Sequence, residues 1–459
     1  MADRTHTARE VRIACIGGGG RHWPREMMME LALRPEITGT IALYDINFPA
    51  ASRNARWGRE VFAHRDARTR FRVRAHRTLA AALRRADLVL ISIQPGPMTM
   101  MVSDIEIPRK YGILHAVGDT AGPAGVVRGL RCVPLYMEYA RAVMDECPNA
   151  WVMNFTNPLA LCVAALYAAA PGIKAVGYCH EMQYRKRELA AILRERCGLE
   201  ECRPEEIEVD ASGVNHFLMA RRISWRGMDL MPVLRELISR KGFFADRTEV
   251  ARERKAGGRY FEADGLVAFD FLRRFGVLGI AGDRHLVEFV PWYISSEEEL
   301  HRWGVVVTPT EYRLSSRPDD RRGEQAEHPE RLRSAGPEYP QQMLALLGCG
   351  EMRAMANVPN RGQTPDWPLG AVVETHAVYR RDAVDPIAAL RHSPIVSGWQ
   401  QRAIEQHMTT LEAARTCDRD LALQAVAHDP LVRLSTDRVW SMLNEMLDAT
   451  RAMLPGWNL

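Results

Sequence analysis

The feature that most constrains the fold is a short apolar run near the N-terminus, VRIACIGGGG, which ends in four glycines at positions 17–20. An apolar run that stops at glycines is typical of a buried parallel strand entering a tight turn. The next segment, PREMMMELALRPE, has apolar residues at helical spacing, and IALYDI follows as a second apolar strand that ends near Asp45. The order strand, glycine turn, helix, strand and acid predicts a βαβ unit that binds a dinucleotide.

The glycine turn is the candidate cofactor site. Gly17, Gly18, Gly19 and Gly20 would let a pyrophosphate approach the start of the helix, and Asp45 would accept hydrogen bonds from the adenosine ribose. The acid favours NAD over NADP, because a 2′-phosphate would be repelled there. The motif is imperfect, since the third glycine of G-x-G-x-x-G falls on a histidine. An ordinary strand-to-helix turn would contain the same glycines.

The first 200 residues alternate helical and strand patterns. TLAAALRRADLVLISI and VPLYMEYARAVMDECPNAWVMNF each predict a helix that leads into a strand, and IKAVGYCH predicts a further strand. This alternation indicates an α/β fold with an N-terminal Rossmann-type, doubly wound parallel sheet. Later, EIEVDASGVNHFLMARRISWRGMDL favours antiparallel strands joined by a turn. We therefore predict an NAD-binding domain over 1–200 and an α+β catalytic and oligomerisation domain over 201–459, with a mobile loop near 310–340 where the sequence is charged and contains proline.

Composition argues against several classes of protein. The formal net charge of +4 gives no reason to expect a nucleic-acid partner. No stretch approaches the roughly 18 consecutive apolar residues of a membrane span, and the N-terminus lacks the apolar core and cleavage site of a signal peptide. The nine cysteines are scattered without the spacing of a disulfide framework, which predicts a reducing, cytoplasmic location.

Two polar clusters directly follow apolar strands: NFTNP at 154–158 and GYCHE at 177–181. Ligands of open α/β sheets bind outside the carboxyl ends of the strands, so both clusters should face the cofactor cleft. Cys179 beside His180 is compatible with a metal site, with a nucleophile and its base, or with two core residues that touch.

Two polar segments of the second half add candidates. SGVNHF contains His216 after a turn, and GDRHLVEF contains Asp283, Arg284, His285 and Glu288. This second segment is either a solvated loop or a positively charged substrate pocket. A thiol, imidazoles and a nicotinamide cofactor fit an ordinary dehydrogenase and also a metal-assisted enzyme.

These segments, in this order, resemble glycoside hydrolase family 4, the NAD- and divalent-metal-dependent glycosidases. The resemblance rests on GGGG with YDI, on DIEIPRKYGILHAVGDTAGPAGVVRGLRCVP, on NFTNPLAL, and on GYCHE with SGVNHF. NVPNRG and LGAVVE extend it towards the C-terminus, so it covers most of the chain. Each piece alone is weak, whereas the ordered set is specific.

The resemblance implies a redox-assisted hydrolysis that differs from two-carboxylate catalysis. Bound NAD+ takes hydride from C3 of the sugar, a base removes the acidified C2 proton, and the substituent on C1 is eliminated. Water then adds, and NADH returns the hydride. A divalent cation, usually Mn²⁺ in this family, holds the C2 and C3 oxygens and stabilises the enolate.

The resemblance also implies roles for particular residues. Cys179 and His216 would be the metal ligands, and His180 would protonate the leaving group. The base at C2 is expected at Asp270, within AFDFLRRFG, with Tyr260 as the second candidate.

Further roles follow for polar residues of the first half. Asn154 and Asn157 would contact sugar hydroxyls or the cofactor ribose. Relatives often have serine where this chain has Gly20, so one phosphate contact would pass to Arg21. Relatives are usually dimers or tetramers, which implies a homodimer or homotetramer here.

The expected substrate is a small carbohydrate, and departures from the family pattern narrow the choice. Phosphosugar members carry arginine three residues before the aspartate that Asp104 matches, and this chain has Met101. GDRHLVEF resembles the α-galacturonidase and α-glucuronidase branch, which implies substrate contacts from Arg284 and His285, with Arg284 pairing with a C5 carboxylate. Neutral α-galactosides or α-glucosides and 6-phosphoglycosides are alternatives with the same mechanism. An NAD-dependent sugar-acid dehydrogenase and an NAD-sensing binding protein are alternatives of other classes.

Overall fold

In the part of the chain that the computed structural model describes, residues 8–315, 332, 334 and 338–458, thirteen strands form one sheet. The path through the sheet runs β10-β8-β7-β12-β11-β6-β5-β4-β1-β2-β3, with β13 beside β12 and β9 beside β8. The strands are β1 Arg9–Ile16, β2 Ile37–Tyr44, β3 Phe71–His76, β4 Leu88–Ile91, β5 Trp151–Asn154, β6 Lys174–Gly177, β7 Ile207–Val214, β8 Phe217–Trp225, β9 Met228–Asp229, β10 Leu278–Gly279, β11 Met352–Pro359, β12 Val372–Tyr379 and β13 Val384–Pro386.

The six strands of the N-terminal half are parallel and lie in the order β3-β2-β1-β4-β5-β6. This order confirms the predicted Rossmann-type sheet. Strand β1 has β2 on one side and β4 on the other, with Ile13 level with Ile41 and Leu88. Strand order reverses between β1 and β4, and open α/β sheets bind ligands at such a reversal.

The strands of the second half continue the same sheet. Strand β11 pairs antiparallel with β6 at Asn357 and Gly177, and β12 then pairs antiparallel with both β11 and β7. Strands β7 and β8 form the predicted antiparallel pair. The division into domains 1–200 and 201–459 stays a prediction, since hydrogen bonds of one sheet cross it.

Helices cover both faces of the sheet, and two apolar clusters fill the space beneath them. One cluster packs under α1, α2 and α14, and the other under α5 to α8, α10 and α15 to α17. The helices are α1 Trp23–Ala32, α2 Phe48–Ala63, α3 Leu79–Leu83, α4 Met98–Lys110, α5 Gly122–Glu146, α6 Leu159–Ala169, α7 Glu181–Cys197, α8 Met231–Ser239, α9 Thr248–Ala256, α10 Leu266–Phe275, α11 Asp283–Leu286, α12 Glu297–Arg302, α13 Thr310–Leu314, α14 Glu338–Leu346, α15 Pro394–Thr416, α16 Arg419–Ala427 and α17 Thr436–Thr450.

The central strands are apolar because both of their faces are covered. β4, with the sequence LVLI, and β5, with WVMN, are buried at every position. No helix in the described part of the chain is both long and apolar enough to cross a membrane. The loop predicted near 310–340 falls mostly outside the described residues, which on either side of it include α13 and α14.

Candidate active site

The glycine turn after β1 folds against the end of β2. Gly17 has φ +87°, and a Cβ atom there would lie 1.8 Å from the Ser92 carbonyl oxygen, so the position requires glycine. Gly17 N and Gly18 N donate to the Tyr44 carbonyl oxygen at 2.9 and 2.8 Å. The turn is therefore built from β1, β2 and the end of β4, at the reversal of strand order.

Asp45 also holds this turn. Its Oδ2 accepts a hydrogen bond from Gly19 N at 2.9 Å, and its Oδ1 accepts one from Asn47 N at 2.8 Å. Gly20 and Arg21 are exposed at the end of the turn, before α1 begins at Trp23. The predicted cofactor residues thus lie together at the carboxyl end of β1 and β2, and their contacts with a cofactor stay a prediction.

Asn54 of α2 is a further support of the turn that the sequence did not reveal. Its Nδ2 donates to the carbonyl oxygens of Gly18 at 2.8 Å and Gly20 at 2.6 Å, and its Oδ1 accepts from Arg25 Nε at 3.1 Å. The side chain is 2% exposed. An asparagine at an apolar helix position was the only signal in the sequence.

Replacing Asn54 by alanine is expected to weaken NAD+ binding about tenfold, because two hydrogen bonds that shape the turn are lost. Titration of NAD+ against the variant by calorimetry measures the effect. The matched control is Asn444→Ala, which removes an amide from α17. An unchanged dissociation constant for NAD+ in the Asn54 variant would contradict the role of this side chain.

A second group of side chains comes from three distant segments. Asp119, His216 and His285 each offer one ligand atom, and these three atoms lie within 4.8 Å of one another. Asp119 lies between α4 and α5, His216 in the turn between β7 and β8, and His285 on α11. The His216 and His285 rings stack with centroids 3.7 Å apart. Among the described residues this is the one group of three with metal-binding geometry.

Neighbouring hydrogen bonds orient this group. Thr120 Oγ1 donates to Asp119 Oδ1 at 2.7 Å and lies 3.1 Å from His216 Nδ1. The hydroxyl proton is used by Asp119, so we assign the proton of the His216 ring to Nδ1, which leaves the lone pair of Nε2 for a metal ion. Asn157 Nδ2 donates to the second oxygen, Asp119 Oδ2, at 3.1 Å.

The electrostatics of the group suit a divalent cation. Burial opposes ionisation of Asp119, but the positive charges of His285 and His216 in their protonated forms and of Arg128 outweigh it and hold the pKa of the carboxyl below its usual value. Burial lowers the pKa of both His216 and His285, so the rings stay neutral and can act as ligands. One carboxylate and two neutral imidazoles fit Mn²⁺ or Zn²⁺. His285 Nδ1 is buried without a hydrogen-bond partner in the described part of the chain, which is compatible with a nitrogen that binds a metal ion.

Cys179 follows β6 and lies outside this group of three. Asn215, the residue before His216, is a neighbour of the thiol, so Cys179 lies near the turn that carries His216. Burial, followed by Glu374 and Glu181, raises the pKa of Cys179 well above its usual value. A bound cation would offset these effects and favour the thiolate. Cys179 as a metal ligand stays a prediction.

His180 and Glu181 occupy the start of α7. The His180 side chain is 42% exposed, and its Nε2 lies 3.9 Å from Glu181 Oε1. The same carboxylate oxygen is 3.9 Å from His285 Nε2, and Gly282 N donates to Oε2 at 2.5 Å. Glu181, to which the sequence assigned no role, therefore lies between the candidate proton donor and the candidate metal group.

The two predicted asparagines have different environments. Asn157 contacts Asp119, as described above. Asn154 is fully buried: its Oδ1 accepts from Tyr136 Oη at 2.6 Å and from Thr156 N at 3.0 Å, and its Nδ2 donates to the Thr156 carbonyl oxygen at 3.0 Å. We therefore reassign Asn154 from ligand contact to support of the loop that carries Asn157.

The predicted base Asp270 is engaged in a structural network. Its carboxylate accepts hydrogen bonds from Arg273 Nε at 2.8 Å, Arg274 Nε at 2.9 Å and Tyr293 Oη at 2.9 Å, and the side chain is 1% exposed. Both carboxylate oxygens are already occupied by side chains of the protein, so we reassign Asp270 to the structural core. Tyr260 is half-buried, with its ring 5.2 Å from that of Tyr312.

The predicted substrate residue Arg284 is nine-tenths buried beside the group of three. Its Nη2 donates to the Ala116 carbonyl oxygen at 2.9 Å and to Thr308 Oγ1 at 2.5 Å. His285, also predicted to bind substrate, belongs instead with His216 and Asp119. The sulfur of Met101 lies 3.6 Å from Arg313 Nη1. Met101 occupies the position at which phosphosugar enzymes carry an arginine, so in this chain the guanidinium group of Arg313 lies beside that position.

Comparison with known proteins decides the family. The description "Family 4 glycosyl hydrolase" matches residues 12–195, and "Family 4 glycosyl hydrolase C-terminal domain" matches residues 211–432. The chain belongs to family 4 of the glycosyl hydrolases. The family predicted from the sequence is thereby confirmed.

Individual family 4 enzymes and structures are similar over their whole length. An α-galacturonidase from Thermoanaerobacterium saccharolyticum is 38% identical over 459 residues, which is 98% of this chain and 98% of that protein. The crystal structure of lplD from Bacillus subtilis has a TM-score of 0.88 at 36% identity and covers 96% of this chain and 100% of that one. A 6-phospho-α-glucosidase from gut microorganisms, solved in complex with NAD and Mn²⁺, has a TM-score of 0.75 and covers 98% of this chain and 100% of that one. Its identity is 18%, so this last likeness concerns the fold.

Two acids of this family 4 site, Asp119 and Glu374, were given no role from the sequence, and Glu288 was named there only as part of a polar segment. Asp119 stands within VGDTAGP, a stretch that carried the family resemblance without a role for the acid. Glu288 accepts hydrogen bonds from Val117 N at 2.7 Å and Gly118 N at 2.9 Å. Glu374 on β12 accepts one from Asn215 Nδ2 at 3.1 Å. Each of these acids is far in sequence from the segment that it supports.

Glu288 gives this family 4 enzyme a pH-dependent stability. Burial raises its pKa from 4.5 to about 8, and one Oε2 has no hydrogen-bond partner among the described residues. Stability from the neutral carboxyl is therefore complete below about pH 4.5 and is lost as the pH rises through about 8. Glutamine keeps an acceptor for Val117 and Gly118 without the charge.

We expect Glu288→Gln to be more stable than the wild type by at least about 1 kcal/mol at pH 9, with a smaller difference at pH 5. Urea unfolding of the metal-free wild type and variant at pH 5, 7 and 9 measures how the free energy of unfolding of each protein depends on pH. Glu236→Gln on the exposed face of α8 is the control. A difference between Glu288→Gln and wild type that does not grow with pH would rule out this role of Glu288.

Proposed function

We propose that this family 4 protein is an α-galacturonidase, a glycosidase that cleaves α-linked uronides with NAD and a divalent cation such as Mn²⁺. The observation that carries the proposal is the 38% identity with an α-galacturonidase over 98% of both chains. A buried arginine, Arg284, next to the candidate metal group supports an anionic sugar, because it has no ion pair among the described residues and a carboxylate would provide one. α-Glucuronides differ only in one hydroxyl configuration and are the nearest alternative.

The cofactors would supply the chemistry that side chains lack. NAD+ would reversibly accept hydride from C3 of the sugar, and the cation would polarise the C2 and C3 oxygens. Support for them comes from the likeness to a structure solved with NAD and Mn²⁺. Asp119, His216 and His285 would hold the cation together with Cys179. The glycine turn and Asp45 would bind the dinucleotide.

Proton transfers would fall to residues around this group. His180 is the proposed proton donor to the leaving group, since its imidazole is partly exposed and a carboxylate, Glu181, lies 3.9 Å away. Tyr260 is the proposed base at C2. It precedes Phe261, whose ring lies 4.9 Å from the guanidinium carbon of Arg284. The buried ion pairs of Asp270 argue against that residue.

A substrate panel tests the proposal. Aryl α-galacturonide, α-glucuronide, α-galactoside and 6-phospho-α-glucoside are each incubated with NAD+ and Mn²⁺, and release of the aryl group is followed. We expect hydrolysis of the uronides that needs both cofactors and produces no net NADH. Accumulation of NADH in step with substrate loss would instead indicate the sugar-acid dehydrogenase, and preference for either of the other glycosides would overturn the uronide assignment.

We also propose that the protein acts in the cytoplasm as a homodimer or homotetramer. All nine cysteines have free thiols, which suits a reducing compartment. Light scattering coupled to size-exclusion chromatography measures the oligomeric state, and a mass of 51.8 kDa would contradict association.

A further inference from the structure

Two guanidinium groups bind the same short loop directly before Asp119. Arg284 Nη2 donates to the Ala116 carbonyl oxygen at 2.9 Å, and Arg313 Nη2 donates to the Val117 carbonyl oxygen at 2.5 Å. These carbonyl groups are consecutive, so the two cations are held at neighbouring points of one loop. Arg313 lies on α13, at the start of the charged segment for which the sequence predicted only a mobile loop.

The two guanidinium groups have donors that nothing in the described part of the chain uses. Nε of Arg284 and Nε of Arg313 are both buried and have no hydrogen-bond partner there. The guanidinium groups of Arg284 and Arg313 are close enough for their charges to repel each other. Burial lowers the pKa of Arg313. An anion between them would satisfy the free donors and cancel the repulsion of the two cations.

The acidic groups nearby do not fill this role. Glu288 directs one oxygen to the backbone N–H groups of Val117 and Gly118, and its pKa of about 8 keeps it neutral at pH 7. The charge of Asp119 acts on both arginines, but its two oxygens accept hydrogen bonds from Thr120 Oγ1 and Asn157 Nδ2. Among the described residues no acid makes an ion pair with either arginine, and the Nε donors of both are left for an anion from outside.

We propose that Arg313 is a specificity-determining residue that completes, with Arg284, a two-guanidinium site for the C5 carboxylate of the substrate. The inference rests on the proposed function and deepens it. A carboxylate has two oxygens that accept several hydrogen bonds, and each planar guanidinium offers a fork of N–H donors. A neutral sugar would leave the buried Nε donors of both arginines without an anion, and this loss would select against galactosides.

The position of the two arginines agrees with this assignment. Arg284 immediately precedes His285, and the loop 116–118 immediately precedes Asp119, so the carboxylate site adjoins the metal group. Its neighbours are apolar on two sides: Phe261 under Arg284 at 4.9 Å, and the Met101 sulfur at 3.6 Å from Arg313 Nη1. An apolar surround strengthens the attraction between guanidinium and carboxylate.

The test compares a charged ligand with its neutral twin. Binding of D-galacturonate and of its methyl ester is measured by calorimetry on the enzyme with NAD+ and Mn²⁺. Arg313→Met and Arg284→Met are each expected to weaken galacturonate binding about 10- to 100-fold, and ester binding less than about threefold. kcat/KM for an aryl α-galacturonide should fall with galacturonate affinity. Arg313→Lys, which keeps the charge but not the fork, should retain an intermediate affinity.

The controls separate a specific role from a loss of structure. Arg302→Met removes an exposed guanidinium from α12 and should leave both affinities unchanged. Equal weakening of acid and ester binding in Arg313→Met, or unchanged galacturonate affinity, would overturn the assignment. Failure of the wild type to hydrolyse any uronide would refute the proposed function alone, because the comparison of acid with ester still decides whether Arg313 binds a carboxylate.

Discussion

His216→Ala is expected to lower kcat/KM for aryl α-galacturonides by at least about a thousandfold, since the cation would lose a ligand and with it the charge that stabilises the transition state. The imidazole is buried, stacks on His285 and is oriented through Thr120, so water cannot replace it in the same geometry. Metal content after dialysis and turnover at saturating Mn²⁺ are measured together. Both should fall.

The comparison with a second histidine shows whether this effect is specific. His428→Ala removes a partly exposed imidazole at the end of α16 and should change neither quantity. Cys179→Ser tests the remaining ligand in the same assay. Full activity and full metal content in His216→Ala would refute the metal group of Asp119, His216 and His285.

Gly17→Ala is expected to destabilise the fold by at least about 2 kcal/mol and to abolish measurable NAD+ binding. The added Cβ would stand 1.8 Å from the Ser92 carbonyl oxygen, which is backbone and cannot turn away, at a φ of +87°. The end of β4 and the turn would have to move apart, which would distort the proposed dinucleotide site. Thermal unfolding and NAD+ titration measure the two effects.

Gly172→Ala is the matched control, because no atom lies within 4 Å of the added Cβ and its φ is ordinary. Its melting temperature should equal that of the wild type within about a degree. A Gly17→Ala protein that melts like the wild type and binds NAD+ normally would show that the turn can move without consequence, contrary to the geometry.

Local patterns predicted the cofactor half well. Each βα unit has its own apolar strand, its own turn and its own helix, and parallel strands force the polar residues that follow them to one edge of the sheet. The places of Asp45, Asn157, Cys179 and His180 could therefore be predicted without knowledge of the complete fold. The antiparallel pair β7 and β8 could also be predicted, because its turn and its alternation of apolar and polar residues are local features of the sequence.

The metal group was not predictable in this way. Asp119, His216 and His285 come close only after segments from two halves of the chain fold together, and the pattern within any one segment does not predict this contact. Asp270 shows the opposite error. Arginines three and four residues after an aspartate on a helix are typical of a local ion pair. Arg273 and Arg274 stand at these positions and pair with Asp270, so the sequence already favoured a structural role for this aspartate.

Because the sheet is continuous, it can be completed only after the C-terminal strands of the chain have been synthesised. Strands β11 and β12 are inserted between β6 and β7, although the ribosome makes them more than a hundred residues later than either neighbour. Until β11 and β12 are synthesised, β6 and β7 each have an unpaired edge, and unpaired strand edges promote aggregation. A chain cut before residue 352 would lack the two strands that join its halves, so the segment from residue 352 onward, less than a quarter of the chain, closes the whole sheet.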